Sequence, residues 1–240
     1  MNPLGLDAIF VLNVRAYEAR RRHVEAELAR FGLRAEFVHD HDVAELTPEV
    51  EARWFAADAP LRPNQKSCAM KHVAALQRIV AGDHAATLVL EDDVVLSPGF
   101  ADGVKDALRE ARQWPQPHVI FIGSGGNFYT PRSERRPGQR LYPAQRGRFG
   151  DSYILGSDTA RRRLEWIERH RIRIPIDNQF EEIDKALDIA MLWLEEPVVE
   201  QGSKNGLFQS MVEPAPPPPI QRLKFGWEKL RRKYLYQLWR

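Results

Sequence analysis

The sequence predicts an α/β fold with a mainly parallel central sheet flanked by helices, on three observations. The first is a strand–helix–strand unit over residues 8–38. The apolar run Ala8-Ile9-Phe10-Val11-Leu12 is followed by Tyr17, Val24, Leu28 and Phe31 at helical spacing, then by the alternating Arg34-Ala35-Glu36-Phe37-Val38. A βαβ unit of this size normally takes a right-handed crossover and a parallel pairing. The second is Leu88-Val89-Leu90, a short and wholly apolar run of the kind buried on both faces of a parallel sheet. The third is that further apolar runs, 118–122 and 189–194, are separated by helical patterns rather than by tight turns.

In chain order, Asn13-Val14-Arg15 closes the first strand, Arg20, Arg21 and Arg22 lie on the outer face of the first helix, and Gly32 stops it. Residues 40–64, with Pro48, Pro60 and Pro63, read as loop with a helical turn near Trp54. Lys66 to Val80 forms a helix with Cys68, His72, Ala75 and Ile79 near one stripe. After the buried strand, Ser97-Pro98 reads as a cap for a helix over 100–112. His118 to Ile122 is a strand that runs into Gly123-Ser124-Gly125-Gly126. Residues 127–148 have no period and read as a long binding loop, lid or disordered stretch. A strand over 149–155 and a helix over 158–170 follow, then Ile172 to Ile176 leading to Asp177, a weak helix over 180–187 and the strand at 189–194. Pro214 to Pro219 is a rigid extended spacer. The chain therefore divides into a body (1–212), a Pro-rich linker (213–219) and a tail (220–240).

The body is long enough to bury one substantial core. No run of 18 apolar residues exists, and Met1 to Asp7 lacks the basic and apolar regions of a secretion signal. The single cysteine, Cys68, excludes an intrachain disulfide and fits a reducing compartment, so the expected address is the cytoplasm. The formal net charge of +2 is unevenly spread, because residues 220–240 carry seven Lys/Arg and one Glu. In the tail Ile220, Leu223, Trp227, Leu230, Tyr234 and Leu238 recur at spacings of three and four. A helix there would be amphipathic and basic, suited either to an anionic membrane surface or to packing on protein. The acidic body shows no recognised nucleic-acid module, which argues against a nucleic-acid partner.

The chemistry concentrates in Glu91-Asp92-Asp93, which directly follows the buried run. Three carboxylates at the C-terminal end of a parallel strand repel one another at the edge where such sheets bind ligands. A hard divalent cation, Mg²⁺ or Mn²⁺, would relieve that repulsion. If the strand extends through them, Glu91 and Asp93 point to one face and Asp92 to the other. Gly123 to Gly126 could cradle phosphate through backbone N–H groups or serve only as a flexible strand exit, since it has no P-loop or dinucleotide fingerprint. Cys68 and His72 are too few for a structural zinc site and fit core packing, although His72 could face a ligand. Asp151, Asp177, Glu181, Glu182 and Asp184 are candidate bases. The last three are expected to be solvated, and Asp177 is either a helix N-cap or catalytic.

Six segments in order resemble glycosyltransferase family 25, the lipooligosaccharide galactosyltransferase family. They are Phe10-Val11-Leu12-Asn13-Val14 with Arg20-Arg21, Ser67-Cys68-Ala69-Met70-Lys71-His72, Leu88 to Val94, Asp151 to Leu155 with Ala160, Ile174-Pro175-Ile176-Asp177, and Glu196-Pro197-Val198-Val199-Glu200-Gln201. Ser67 and Lys71 depart from that family's glycine and serine, and Gln65 stands where an acid is common.

The resemblance implies a GT-A-type nucleotide-sugar-binding fold, a UDP-sugar donor such as UDP-galactose, and inverting transfer to a glycan or glycolipid acceptor with Mn²⁺ or Mg²⁺. It further implies Asp93 and Glu91 as metal ligands, and Asn13, Arg20, His72, Glu91 and Asp92 around the nucleotide sugar. Asp177, then Asp151, is the base it implies. Lipid-linked acceptors would place the protein on the inner face of the cytoplasmic membrane through its tail. Two rivals use the same residues: a Mg²⁺-dependent nucleotidyltransferase or phosphohydrolase, and a non-catalytic glycan- or lipid-surface-binding protein.

Overall fold

The computed structural model describes residues 2–125, 128–144 and 146–205, together with positions 227 and 231. The Pro-rich linker and almost all of the tail lie outside the described residues, so the amphipathic helix and the domain limits read from the sequence rest on sequence alone.

A seven-stranded sheet organises the body. Its strands are β1 (Ala8–Leu12), β2 (Glu36–Val38), β3 (Thr87–Glu91), β5 (His118–Phe121), β6 (Leu141–Pro143), β7 (Ser152–Leu155) and β8 (Ala190–Leu194), in the order β2-β1-β3-β7-β5-β8-β6. β1 pairs in parallel with β2 and β3, and β5 pairs in parallel with β8. The expectation of a mainly parallel sheet needs correction, because β7 runs antiparallel between β3 and β5, and β6 runs antiparallel on β8. The sheet is mixed. Reversing β7 places its first residues, not its last, at the edge where β1, β3 and β5 end.

Strand parity divides the core in two. Phe10, Leu12, Val89, Phe121, Tyr153 and Trp193 face a layer made by α2 (Pro48–Trp54), α3 (Pro63–Ala81), α5 (Ser157–His170) and α6 (Ile176–Ala186). Ile9, Val11, Leu88, Leu90, Ile120, Ile154 and Leu192 face α1 (Glu18–Ala29) and α4 (Phe100–Ala111). The result is a three-layer α/β/α body. A separate antiparallel pair, β4 (Val94–Leu96) with β9 (Val199–Gln201), leads into the short α7 (Gly202–Asn205) and returns the end of the body to the turn after β3.

Several boundaries differ from the sequence reading for local reasons. The helix expected from residue 66 begins at Pro63, where Gln65 reaches back to the Arg62 N–H in a capping box. The helix expected over 100–112 does start at Phe100, but its N-cap is Gly99 rather than Ser97, whose N–H is still bonded to Val198 O. The aperiodic stretch 127–148 contains β6, too short to show alternation.

Candidate active site

The ends of β1, β3 and β5, the start of β7 and the start of α6 converge at one sheet edge, and the titratable residues gather there. Asn13 follows β1, Glu91 ends β3, Asp151 precedes β7, and Asp177 sits in the first turn of α6. Glu91 reaches this edge on the C-terminal end of a parallel strand, Asp151 at the start of the antiparallel β7 and Asp177 on α6.

The acidic triplet does not continue the strand. β3 stops at Glu91, and Asp92-Asp93 form a turn into β4. The alternation expected for all three acids therefore applies only to Glu91, which follows Val89 onto the α3 face. Asp92 is buried, and its carboxylate accepts from Asn13 Nδ2 at 2.8 Å and Arg20 Nη1 at 2.8 Å. Burial raises its pKa, against the pull of Arg20 and Asn13. Asn13 and Arg20 thus fasten the acidic turn to β1 and α1, although Asn13 Oδ1 remains buried without a hydrogen-bond partner among the described residues.

Asp93 is 3% exposed and meets the returning chain. Its Oδ2 accepts from the Ser203 N–H at 3.0 Å and its carbonyl from the Gly202 N–H at 2.6 Å. Its Oδ1 is buried with no hydrogen-bond partner among the described residues. Glu91 is half-buried and accepts from Gln201 Nε2 at 3.0 Å. Its pKa is pushed well up, first by burial and then by Asp93, Asp177, Asp151 and Asp92. Four carboxylates within electrostatic reach of a fifth form a basin that favours a proton or a cation. No Lys or Arg lies within ion-pair distance of Glu91 or Asp93 among the described residues.

Asp177 is at the second position of α6, with Pro175 as the N-cap, so the N-cap reading is corrected. Its Oδ1 accepts from the Gly150 N–H at 2.9 Å. A Cβ on residue 150 would come within 2.6 Å of that oxygen and 3.0 Å of His72 Cε1, so only glycine allows this approach. Asp151 is fully buried, its Oδ1 accepts from Ser152 Oγ at 2.9 Å, and it lies close under Gly123. That seat is further from solvent than Asp177's. The glycine-rich exit holds the site from behind: the Ser124 N–H bonds Val199 O, and Gly125 lies against Arg148 O.

His72 is fully buried, with Nδ1 2.8 Å from the Tyr153 hydroxyl and its ring edge-on to Phe180. Burial, helped by Arg163, lowers its pKa to about 3, so the imidazole is neutral. Cys68 and His72 pack in the core as the sequence reading expects, and Cys68 Sγ, a His72 ring nitrogen and a Glu91 oxygen lie within 4.8 Å of one another. Two expectations change. Asp184, expected to be solvated, is fully buried and bidentate with Arg163. Glu181 accepts from the Gly147 N–H and pairs with Lys185.

Sequence reasoning missed Gln201, Gly202 and Ser203 as neighbours of the acids, and Gly150 as the donor to Asp177. Gln201 alone left a signal, as the end of the Pro197-to-Gln201 segment. The two departures Ser67 and Lys71 also act together. Ser67 Oγ donates to His41 O at 2.7 Å, and the buried Lys71 Nζ bonds His39 O, Asp40 O and Asp42 Oδ1. They pin the loop after β2 to α3.

No curated protein matches the chain. The family model for glycosyltransferase family 25 (LPS biosynthesis protein) matches residues 6–124, a stretch holding Asn13, Arg20, His72 and the acidic turn but not Asp151, Asp177 or Gln201. Residues 6–124, just under half of the chain, are thus similar to glycosyltransferase family 25, a likeness that points to a glycosyltransferase with a sugar donor and a glycan acceptor.

Proposed function

We propose that the protein is an inverting, divalent-cation-dependent transferase. It would move a sugar, galactose in the first instance, from a UDP-sugar to a hydroxyl of a bacterial surface glycan such as lipooligosaccharide. The observation that carries this reading is the buried Asp93 Oδ1, without a hydrogen-bond partner among the described residues, beside a Glu91 whose pKa is raised by burial and then by other carboxylates. Such a donor set fits a hard cation with oxygen ligands, and Asp93 and Glu91 would hold Mn²⁺ or Mg²⁺. When bound, the ion offsets the charge that builds on a departing nucleotide diphosphate.

The chain's own residues supply the rest. Asn13, Arg20 and Asp92 form a corner at the end of β1 against which the nucleotide would lie, with the buried His72 beneath Glu91 and Gly150. The acceptor oxygen bonds the anomeric carbon as the bond from that carbon to the diphosphate oxygen breaks, and Asp177 takes the hydroxyl proton. The Gly150 N–H orients the Asp177 carboxylate for this role. Asp151 is the weaker candidate, being fully buried and hydrogen-bonded to Ser152.

Among the described residues no helix is long and apolar enough to cross a membrane. The basic, aromatic tail is proposed as a peripheral contact with the anionic inner leaflet, where each basic residue contributes about 1 kcal/mol. Full-length protein should then co-sediment with anionic liposomes at low salt. A chain ending at Pro214 should not, while still using a soluble acceptor. The central test is UDP release from UDP-galactose with Mn²⁺. Release that requires a glycan acceptor supports transfer, acceptor-independent phosphate release supports the phosphohydrolase reading, and binding without turnover supports a binding protein.

A further inference from the structure

We propose that Cys68, His72 and Glu91 form a binding site for a soft transition-metal ion, zinc in the first instance, whose donor set differs from that of Asp93 and Glu91 and overlaps it only at Glu91. Cys68 and His72 are one helical turn apart on the face of α3 turned toward the sheet. The parity of β3 sends Glu91 to that same face, so one donor atom from each lies within 4.8 Å of the others. His72 carries the second, independent observation: it is fully buried, its Nδ1 is engaged with Tyr153, and its Nε2 has no hydrogen-bond partner among the described residues. Metal-binding histidines are oriented by a hydrogen bond at their other ring nitrogen, and the Tyr153 hydroxyl stands in that place here.

The donor chemistry selects the ion. Sulfur, imidazole nitrogen and carboxylate oxygen with one open position suit zinc, whereas Mg²⁺ and Mn²⁺ favour oxygen alone. Bonds of about 2.3 Å to sulfur and about 2.0 Å to nitrogen require the donors to draw in by roughly an ångström. Glu91 is the member able to move, since it is half-buried and its side-chain hydrogen bond is to Gln201. Binding releases the thiol proton to solvent, and the thiolate and carboxylate together balance the ion's two charges. The site's existence does not depend on the transfer reading. If that reading holds, zinc would draw Glu91 away from the oxygen-donor site and act as an inhibitor.

The test is titration of the reduced full-length protein with Co²⁺, a spectroscopic stand-in for zinc. A thiolate-to-cobalt charge-transfer band saturating at one equivalent and erased by Zn²⁺ is expected, and since Cys68 is the only cysteine the band can come from no other residue. Cys68→Ser should abolish it, His72→Gln should weaken Co²⁺ binding about tenfold or more, and Asp93→Asn should keep it. Zn²⁺ should also protect the wild-type thiol from alkylation, which needs no variant to fold. Absence of the band, a band that survives Cys68→Ser, unchanged affinity in His72→Gln, or no protection by Zn²⁺ would each overturn the site. Loss of Mn²⁺-dependent turnover in Asp93→Asn bears on the transfer reading and leaves the cobalt band untouched.

Discussion

Asp184 and Asp93 are both buried carboxylates, and the molecule treats them in opposite ways. Asp184 sits on α6 with both oxygens held by the Arg163 guanidinium, at 2.8 and 2.6 Å, and neither side chain is more than 1% exposed. Arg163 in turn lies over Phe180, so the pair is walled by the core. Asp93 has one backbone N–H on one carboxylate oxygen, no cationic side chain in ion-pair reach among the described residues, and four other acids close by through Glu91. The fold supplies a matched cation to one buried acid and, among the described residues, surrounds the other with further acids.

The contrast predicts opposite responses to charge removal, and the largest is in stability. Asp184→Ala strands the Arg163 charge and should cost about 3–5 kcal/mol, read as a lower denaturation midpoint. Asp93→Asn removes like-charge repulsion and should leave that midpoint unchanged or raised while abolishing Mn²⁺-dependent transfer. If both variants lose similar stability, the two carboxylates are not different in kind. Unaltered turnover of Asp93→Asn at saturating Mn²⁺ would remove Asp93 from the metal site.

Asp177→Ala comes next. Its kcat should fall on the order of 10²-fold or more while donor affinity holds, because a positioned proton acceptor is lost. A parallel collapse of donor binding would make Asp177 a nucleotide contact or a structural residue instead.

Two smaller effects follow from pH. His72 has a folded-state pKa of about 3, below its ordinary value of 6.5, so the unfolded chain takes up the proton first. Its contribution is full above pH 6.5 and is lost as pH falls from there toward 3, by up to about 1.4 kcal/mol per unit. His72→Gln should flatten that part of the acid limb, and an unchanged slope would count against the buried neutral imidazole. Glu91 has the opposite sign: its pKa is raised in the fold, so its ionisation costs stability as pH rises. A cation that holds the ionised form competes with that proton. The gain in Tm from Mn²⁺ should therefore be larger near about pH 8 than near about pH 5.5. A gain independent of pH would place the ion away from Glu91.

By itself the sequence determined every strand of the main sheet but β6, the longer helices, the buried run ending in Glu91-Asp92-Asp93, the family resemblance through the acidic turn, and the sheet edge where the candidate site lies. These are local properties: apolar period, capping residues and a charged run touch only near neighbours in the chain. Tertiary structure decided the rest. Strand β7 entered antiparallel between β3 and β5 and brought Asp151 and Gly150 to the site, a choice that its four buried residues do not encode because period-two patterns carry no direction. The turn at Asp92-Asp93 and the return of Gln201 to Ser203 onto the acids came from the β4–β9 pairing of residues about a hundred positions apart. Asp184 looked solvated beside Glu181 and Glu182 until α6 packed its fourth-residue stripe of Phe180 and Asp184 against Arg163. A carboxylate reads the same in any sequence; whether it meets an arginine, a backbone N–H or another carboxylate is settled only when distant segments close around it.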